Sequence, residues 1–242
     1  MNAAVQTLRL DARQRAMLDE MGVKVWWPVP EAVEVPVAVA PAPVVVHPSV
    51  PARTLAELVA LAKSKPEGLS YGSAGNGSPQ HLGAEMFKFA TGTAMTHVPY
   101  KGSALALTDL LGGQLQLMFT DIAPALQHVR SGKLRALAVT SKKRQPTFPD
   151  VPTVAESRLP GTADFEAVAW QSIVAPAGTP APVVERLSQE IAKVIAQPAL
   201  RQKLENDGFE PGSSTPAQLA AYIRSESERW GQVIRASGAT ID

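Results

Sequence analysis

The chain has 242 residues, 45% apolar and 19% charged, with a formal net charge of +1 and no cysteine. That length holds one large domain or two small ones. The balanced charge and 5% aromatic content argue against nucleic acid as a partner, and the lack of cysteine rules out disulfides, thiolate catalysis and cysteine-based metal sites.

Residues 10–21, from Leu10 to Met21, have the pattern of one short helix, which Gly22 ends. Val23-Lys24-Val25-Trp26-Trp27-Pro28 reads as a short extended piece. Residues 28–43 then mix proline with valine, alanine and glutamate, a composition that predicts a polyproline II linker. No run of about 18 apolar residues marks a membrane helix, and the N-terminus shows no apolar core of a secretory signal.

An alternating α/β pattern begins near Val44-Val45-Val46. Thr54 is placed to cap a helix over 55–64, with Glu57 three residues on completing a capping box. Leu69-Ser70-Tyr71-Gly72 reads as a strand, and a helix over 79–90 puts Leu82, Met86 and Phe89 on one face. A strand at 95–99, a helix capped by Ser103 and running to Leu111, a strand at 115–119 and a helix over 122–130 capped by Asp121 follow. Arg135-Ala136-Leu137-Ala138-Val139-Thr140 is a strand with an almost continuous apolar core. This βαβα order predicts a parallel sheet covered by helices. Residues 141–169 are looser, 170–175 form a strand, and helices are expected over 181–196, 198–206 and 216–236.

The stretch from Tyr71 to Leu82 carries the most chemistry. Ser78 suits an N-cap and Pro79 the first helical position, while Gly75 and Gly77 permit positive φ and close approach of a ligand. Such a loop aims N–H groups and a helix dipole at one point and suits an anion; the alternative is a tight strand-to-helix turn with no ligand. It lacks the Walker A, GxGxxG and Gly-x-Ser-x-Gly patterns.

Ser73 and the Thr120-Asp121 pair follow different strand ends, where α/β sheets hold ligands, although Asp121 also serves as a plain helix cap. Tyr100 and Lys101 offer donors and positive charge, or else are a packed tyrosine and a solvated lysine. His47, His81, His97 and His128 lack metal-ligand spacing, so no metal is expected, nor any cofactor. His81 falls in the first turn of the loop helix and faces either the ligand, the core or solvent. No Ser/His/Asp set or carboxylate pair stands out, so the chain is not expected to be an enzyme.

Residues from 44 to 242 resemble the Bug family, the substrate-binding proteins of tripartite tricarboxylate transporters. The matching segments are residues 45–51, Tyr71 to Ser78 with His81-Leu82, and Val98-Pro99-Tyr100-Lys101-Gly102. Further on they are residues 135–140, Phe148-Pro149-Asp150-Val151-Pro152-Thr153 and Ala175-Pro176-Ala177-Gly178-Thr179-Pro180. The resemblance implies an α/β fold of the type II periplasmic binding-protein kind, in which two lobes close on a small organic carboxylate. It implies that Ser73, Ala74, Asn76, Gly77, Ser78 and His81 lie at or beside the ligand, followed by Tyr100, Lys101 and Asp121. Membrane subunits of the transporter are the implied partners. A periplasmic location is implied too, with the cytoplasm as the alternative because no signal peptide is visible.

The resemblance also carries an expectation of truncation. Family members have a further segment before the point matched by Val45, which builds most of the first domain. Residues 1–43 are therefore expected to be an unrelated short helix and linker, 44–170 a nearly complete ligand-binding lobe, and 171–242 the helical remainder of the other lobe. Residues 10–18 with Trp26-Trp27-Pro28 weakly resemble the N-terminal extension of some bacterial uracil-DNA glycosylases, but no glycosylase catalytic segment follows.

On that division Leu187, Ile191, Leu219, Ile223 and Trp230 lose cover, and each exposed side chain forfeits about 1.5–3 kcal/mol. A marginal or self-associating chain with an impaired site is the expectation. The alternative function is a non-binding rearrangement product, or an adaptor that recruits a partner through its proline-rich leader.

Overall fold

The computed structural model describes residues 33–65 and 68–239. The elements expected over 10–21 and 23–28 lie outside these residues. Strands β2 (Pro43–Val46), β3 (Ser70–Ser73), β4 (Thr96–Pro99), β5 (Leu117–Phe119) and β6 (Arg135–Val139) form one sheet in the order β4-β3-β5-β2-β6. Helices α1 (Leu55–Ser64), α2 (Pro79–Thr91), α3 (Ser103–Leu111) and α4 (Ile122–Arg130) connect them.

The sheet is mixed, which corrects the parallel arrangement expected from the βαβα order. β3 runs parallel to β4 and β5, but β2 is antiparallel to both β5 and β6. β2 follows β1 (Val33–Pro41) with only Ala42 between them, so it enters from a second sheet rather than through a helical crossover.

Side chains alternate between two cores, as the pleat requires. Val44, Val46, Leu117 and Phe119 pack with Leu58, Ala84 and Phe87 on one face, whereas Val45 and Met118 pack with Leu107, Leu110 and Leu115 on the other.

Three local expectations need correction. Glu57 accepts the N–H of Arg53 (2.6 Å) rather than that of Thr54, so only the Thr54 half of the capping box forms as read. Gly102, not Ser103, is the N-cap of α3. The buried face of α2 carries His81, Ala84, Glu85 and Phe87, while Phe89 is 73% exposed and Leu82 and Met86 are half-buried. The apolar period pointed to the wrong face because the buried one is partly polar.

The second sheet is antiparallel, in the order β7 (Val168–Ala175), β1, β8 (Glu210–Pro211). It corrects the reading of residues 28–43 as a polyproline linker, at least for 33–41. Val33, Val35, Val37 and Val39 recur every second residue, the signature of a strand. Pro36 is tolerated in this central strand because the pairing with β7 shifts register between Val35 and Ala38, a bulge in which a missing N–H costs no ladder bond.

Helices α5 (Ala181–Ile195) and α7 (Pro216–Ser237) pack on β1, and the shorter α6 (Pro198–Asn206) packs on β8. Part of the cover that the sequence reading denied them is present. Leu219 is completely buried and Ile191, Ile223 and Trp230 are half-buried, while Leu187 stays 44% exposed. α7 also packs along α2, which joins the two sheets beside the glycine loop. No helix among the described residues is long and apolar enough to cross a membrane.

Candidate functional site

The parallel strands β4, β3 and β5 end side by side, at Pro99, Ser73 and Phe119. The segments that follow them lie along one edge of the sheet and are joined by hydrogen bonds. The N–H of Tyr100 donates to the carbonyl of Ser73 and that of Gly102 to the carbonyl of Ala74, both at 3.2 Å. Gln80 Nε2 donates to Asp121 Oδ2, also at 3.2 Å. Ser73, Ala74, Asn76, Gly77, Ser78, His81, Tyr100, Lys101 and Asp121 therefore share this edge.

Gly75 (φ +130°) and Gly77 (φ +71°) take the positive φ that the loop demands. Several N–H groups expected to point at an anion are committed within the loop. Gly75 N–H donates to Ser73 Oγ (3.1 Å), Gly77 N–H to His81 Nδ1 (3.1 Å), Ser78 N–H to the Gly75 carbonyl (3.2 Å) and His81 N–H to Ser78 Oγ (3.3 Å). The loop is thus a braced turn, with Ala74, Asn76, Gly77 and Ser78 half-buried at its rim.

Ser73 and His81 lie beneath that rim. Ser73 is fully buried, and its Oγ sits 2.6 Å from His97 Nε2. The His81 and His97 rings stack at 3.9 Å with planes 7° apart, and Tyr71 stacks on His97 at 4.9 Å. Below them Glu85 Oε1 accepts from Tyr71 Oη (2.5 Å) and Lys88 Nζ (2.6 Å). Burial pushes the Tyr71 phenol far above its ordinary range, reinforced by Glu85. Burial lowers His81, and burial with the adjacent His81 lowers His97 to about 4, so both rings are neutral near pH 7.

Sequence reasoning missed this buried group, because His97 looked isolated and Tyr71, Glu85 and Lys88 were not weighed. The (i, i+4) spacing of His81 and Glu85 on one helix was the available signal. Ser73 Oγ also bonds the Gly75 amide and carbonyl, and no carboxylate among the described residues hydrogen-bonds His97.

The remaining expected residues differ in placement. Tyr100 Oη donates to Asp109 (2.7 Å); burial first, then Asp109, pushes the phenol up to about 12. Lys101 is exposed. Asp121 stands at the N-cap of α4 but makes no side-chain cap bond, contrary to the expected capping role, because its carboxylate faces Gln80. Burial raises its carboxyl above the usual range, and the Gln80 bond opposes that only partly. Gln80 Oε1 and Thr120 Oγ1 are buried without a partner among the described residues.

Beside the loop lies a cleft of about 180 Å3 lined by Gly77, Pro79, Leu82, Val168, Ala169, Trp170 and Trp230. A larger one of about 470 Å3 lies between α5 and the start of α7, lined by none of the loop residues.

A family model, the tripartite tricarboxylate transporter family receptor, matches residues 20–239. The chain belongs to this receptor family. The match begins at residue 20 and so includes Trp26-Trp27-Pro28 and the β1 strand, which corrects the expectation that all of residues 1–43 form an unrelated leader. The family, which includes the Bug proteins, consists of periplasmic solute-binding receptors rather than enzymes.

A protein encoded in the tcbD–tcbE intergenic region of Pseudomonas sp. (strain P51) is 39% identical over 183 residues, covering 75% of this chain and 54% of that protein. R. palustris Rpa4515 with adipate superposes with a TM-score of 0.77 at 34% identity, covering 89% of this chain and 71% of that one. MatC from Rhodopseudomonas palustris with bound malate gives 0.69 at 29%, covering 85% and 69%. The chain spans little more than half the length of the curated relatives it matches, 54% and 61% for two of them. The fold is that of a type II periplasmic binding protein.

Proposed function

We propose that this receptor binds a small organic carboxylate at the edge formed by β3, β4 and β5, with the glycine loop as one wall. The observation that carries the reading is the convergence of three parallel strand ends on a loop braced from below, with a cleft at its side. Ala74, Asn76, Gly77 and Ser78 meet the carboxylate. Ser73 and His81 support the loop, and Tyr100 and Lys101 flank it.

The apolar cleft lining, which includes Trp170 and Trp230, suits the methylene part of the acid. Asp121 stands at the same edge, its carboxylate held by Gln80 at 3.2 Å. The partners are the membrane subunits of a tripartite transporter, reached from the periplasm. Adipate and malate, carried by two structural relatives, are the natural first probes.

Calorimetric titration with a panel of dicarboxylates tests the reading. One acid is expected to bind saturably, and Gly75→Val is expected to weaken it at least about tenfold, since a β-branched residue cannot hold φ +130° without moving the loop. Absence of binding by every acid, or affinity untouched by Gly75→Val, would contradict it.

A further inference from the structure

Two histidines brace the two ends of the glycine loop and stack on each other. His97 reaches Gly75 through Ser73, whose Oγ contacts both the amide and the carbonyl of that glycine. His81 holds Gly77 directly, its Nδ1 accepting the Gly77 N–H at 3.1 Å. With the rings stacked 3.9 Å apart in nearly parallel planes, a shift of either is felt by the other. We propose that the His81–His97 pair is an acid-sensitive clasp that holds the glycine loop in its carboxylate-binding geometry, with both histidines as positioning residues. The clause on binding rests on the carboxylate reading above; the clasp itself does not.

The chemistry follows from the acceptor role of Nδ1. Because Nδ1 accepts from Gly77, the ring proton sits on Nε2, which faces Glu85 Oε1 at 4.0 Å. A proton added at Nδ1 sets N–H against N–H, and the Gly77 bond is lost.

The groups around the pair can be named element by element. Tyr71 contributes from β3, Glu85 and Lys88 from α2 itself, and each histidine faces the other. Lys88 and the neighbouring imidazole oppose protonation of His97, while Glu85, shared between Tyr71 and Lys88, favours it. On α7, packed along α2, Glu226 and Arg229 pair with each other at 2.8 Å. Burial is the largest influence on both rings and keeps them neutral near pH 7, so the clasp is closed there and opens on acidification.

Nitrogen-15 NMR of the intact protein tests the clasp without ligand. His81 is expected as the Nε2–H tautomer, with a measurable coupling across the hydrogen bond from the Gly77 amide to Nδ1. That coupling should vanish as His81 takes its proton. A His81 ring protonated on Nδ1 at neutral pH, or a Gly77 amide indifferent to the His81 titration, overturns the proposal.

Adipate affinity measured from pH 7 to 4 then tests its consequence. Beyond the fall that protonation of the acid itself causes in any variant, the expectation is a further loss of about tenfold, the worth of one hydrogen bond of roughly 1–1.5 kcal/mol. His81→Asn places a non-titrating oxygen near the position of Nδ1. It is expected to rescue the binding lost in His81→Leu at pH 7 and to remove the further loss on acidification, leaving only the fall due to the acid's own protonation, whereas His81→Leu binds weakly at every pH. Affinity that rises on acidification, or an unchanged profile in His81→Asn, overturns the role in binding. If neither adipate nor malate binds at pH 7 while the Gly77–His81 coupling is present, the carboxylate reading fails for those acids and the clasp stands.

Discussion

Glu85 is the least expected residue of the site. It is buried on a helix face that a search for apolar periodicity discards, yet two donors, Tyr71 and Lys88, close on one of its oxygens. A buried carboxylate tolerates this position because those bonds replace water. The histidines above it carry a pH dependence of stability. His97 titrates near 4 when folded and near 6.5 when unfolded, and His81 is shifted in the same direction. The unfolded chain therefore binds more protons between those values, and stability rises with pH across that window. Full stability is present above about pH 6.5 and is lost progressively towards pH 4. Urea unfolding from pH 4 to 7 should show this slope, and His97→Gln should reduce it; a slope unchanged in the variant would mean that other groups carry it.

At the scale of elements, β1 decides how the C-terminal helices are stabilised. α5 and α7 both pack on it, and Leu219 is completely buried whereas Leu187 is 44% exposed. Leu219→Ala is expected to cost about 2–5 kcal/mol and Leu187→Ala less than about 0.5 kcal/mol in urea unfolding. Equal losses would mean that the α7 packing is not as described.

The sequence made the helices legible because their caps and turns are local. Thr54 and Ser78 stand where the chemistry of helix ends requires them. β1 was obscured because proline content outweighed the alternating valines, and only the bulge at Pro36 reconciles the two. The reversed direction of β2 depends on a pairing partner far along the chain, which no local pattern carries. Of the site, the glycine loop was visible in its own residues. The brace beneath it was not, since His97 and Ser73 meet through sheet pairing 24 positions apart.

The chain passes between the two sheets at Ala42, from β1 to β2, and again between β6 and β7, and α7 packs along α2. The candidate site lies where these connections meet. Trp230 of α7 and Trp170 of β7 line a cleft whose other side is Gly77 and Pro79. A ligand there contacts both sheets, the arrangement a binding protein needs if occupancy is to be read by a partner. The larger cleft near Thr179, Glu185 and Thr215 is one physical competitor for any acid that binds. Amide NMR during titration with adipate separates the two directly. The account predicts saturable shifts at residues 74–78 and at the Trp170 indole. Shifts confined to Thr179, Glu185, Gln189 and Thr215 would contradict it.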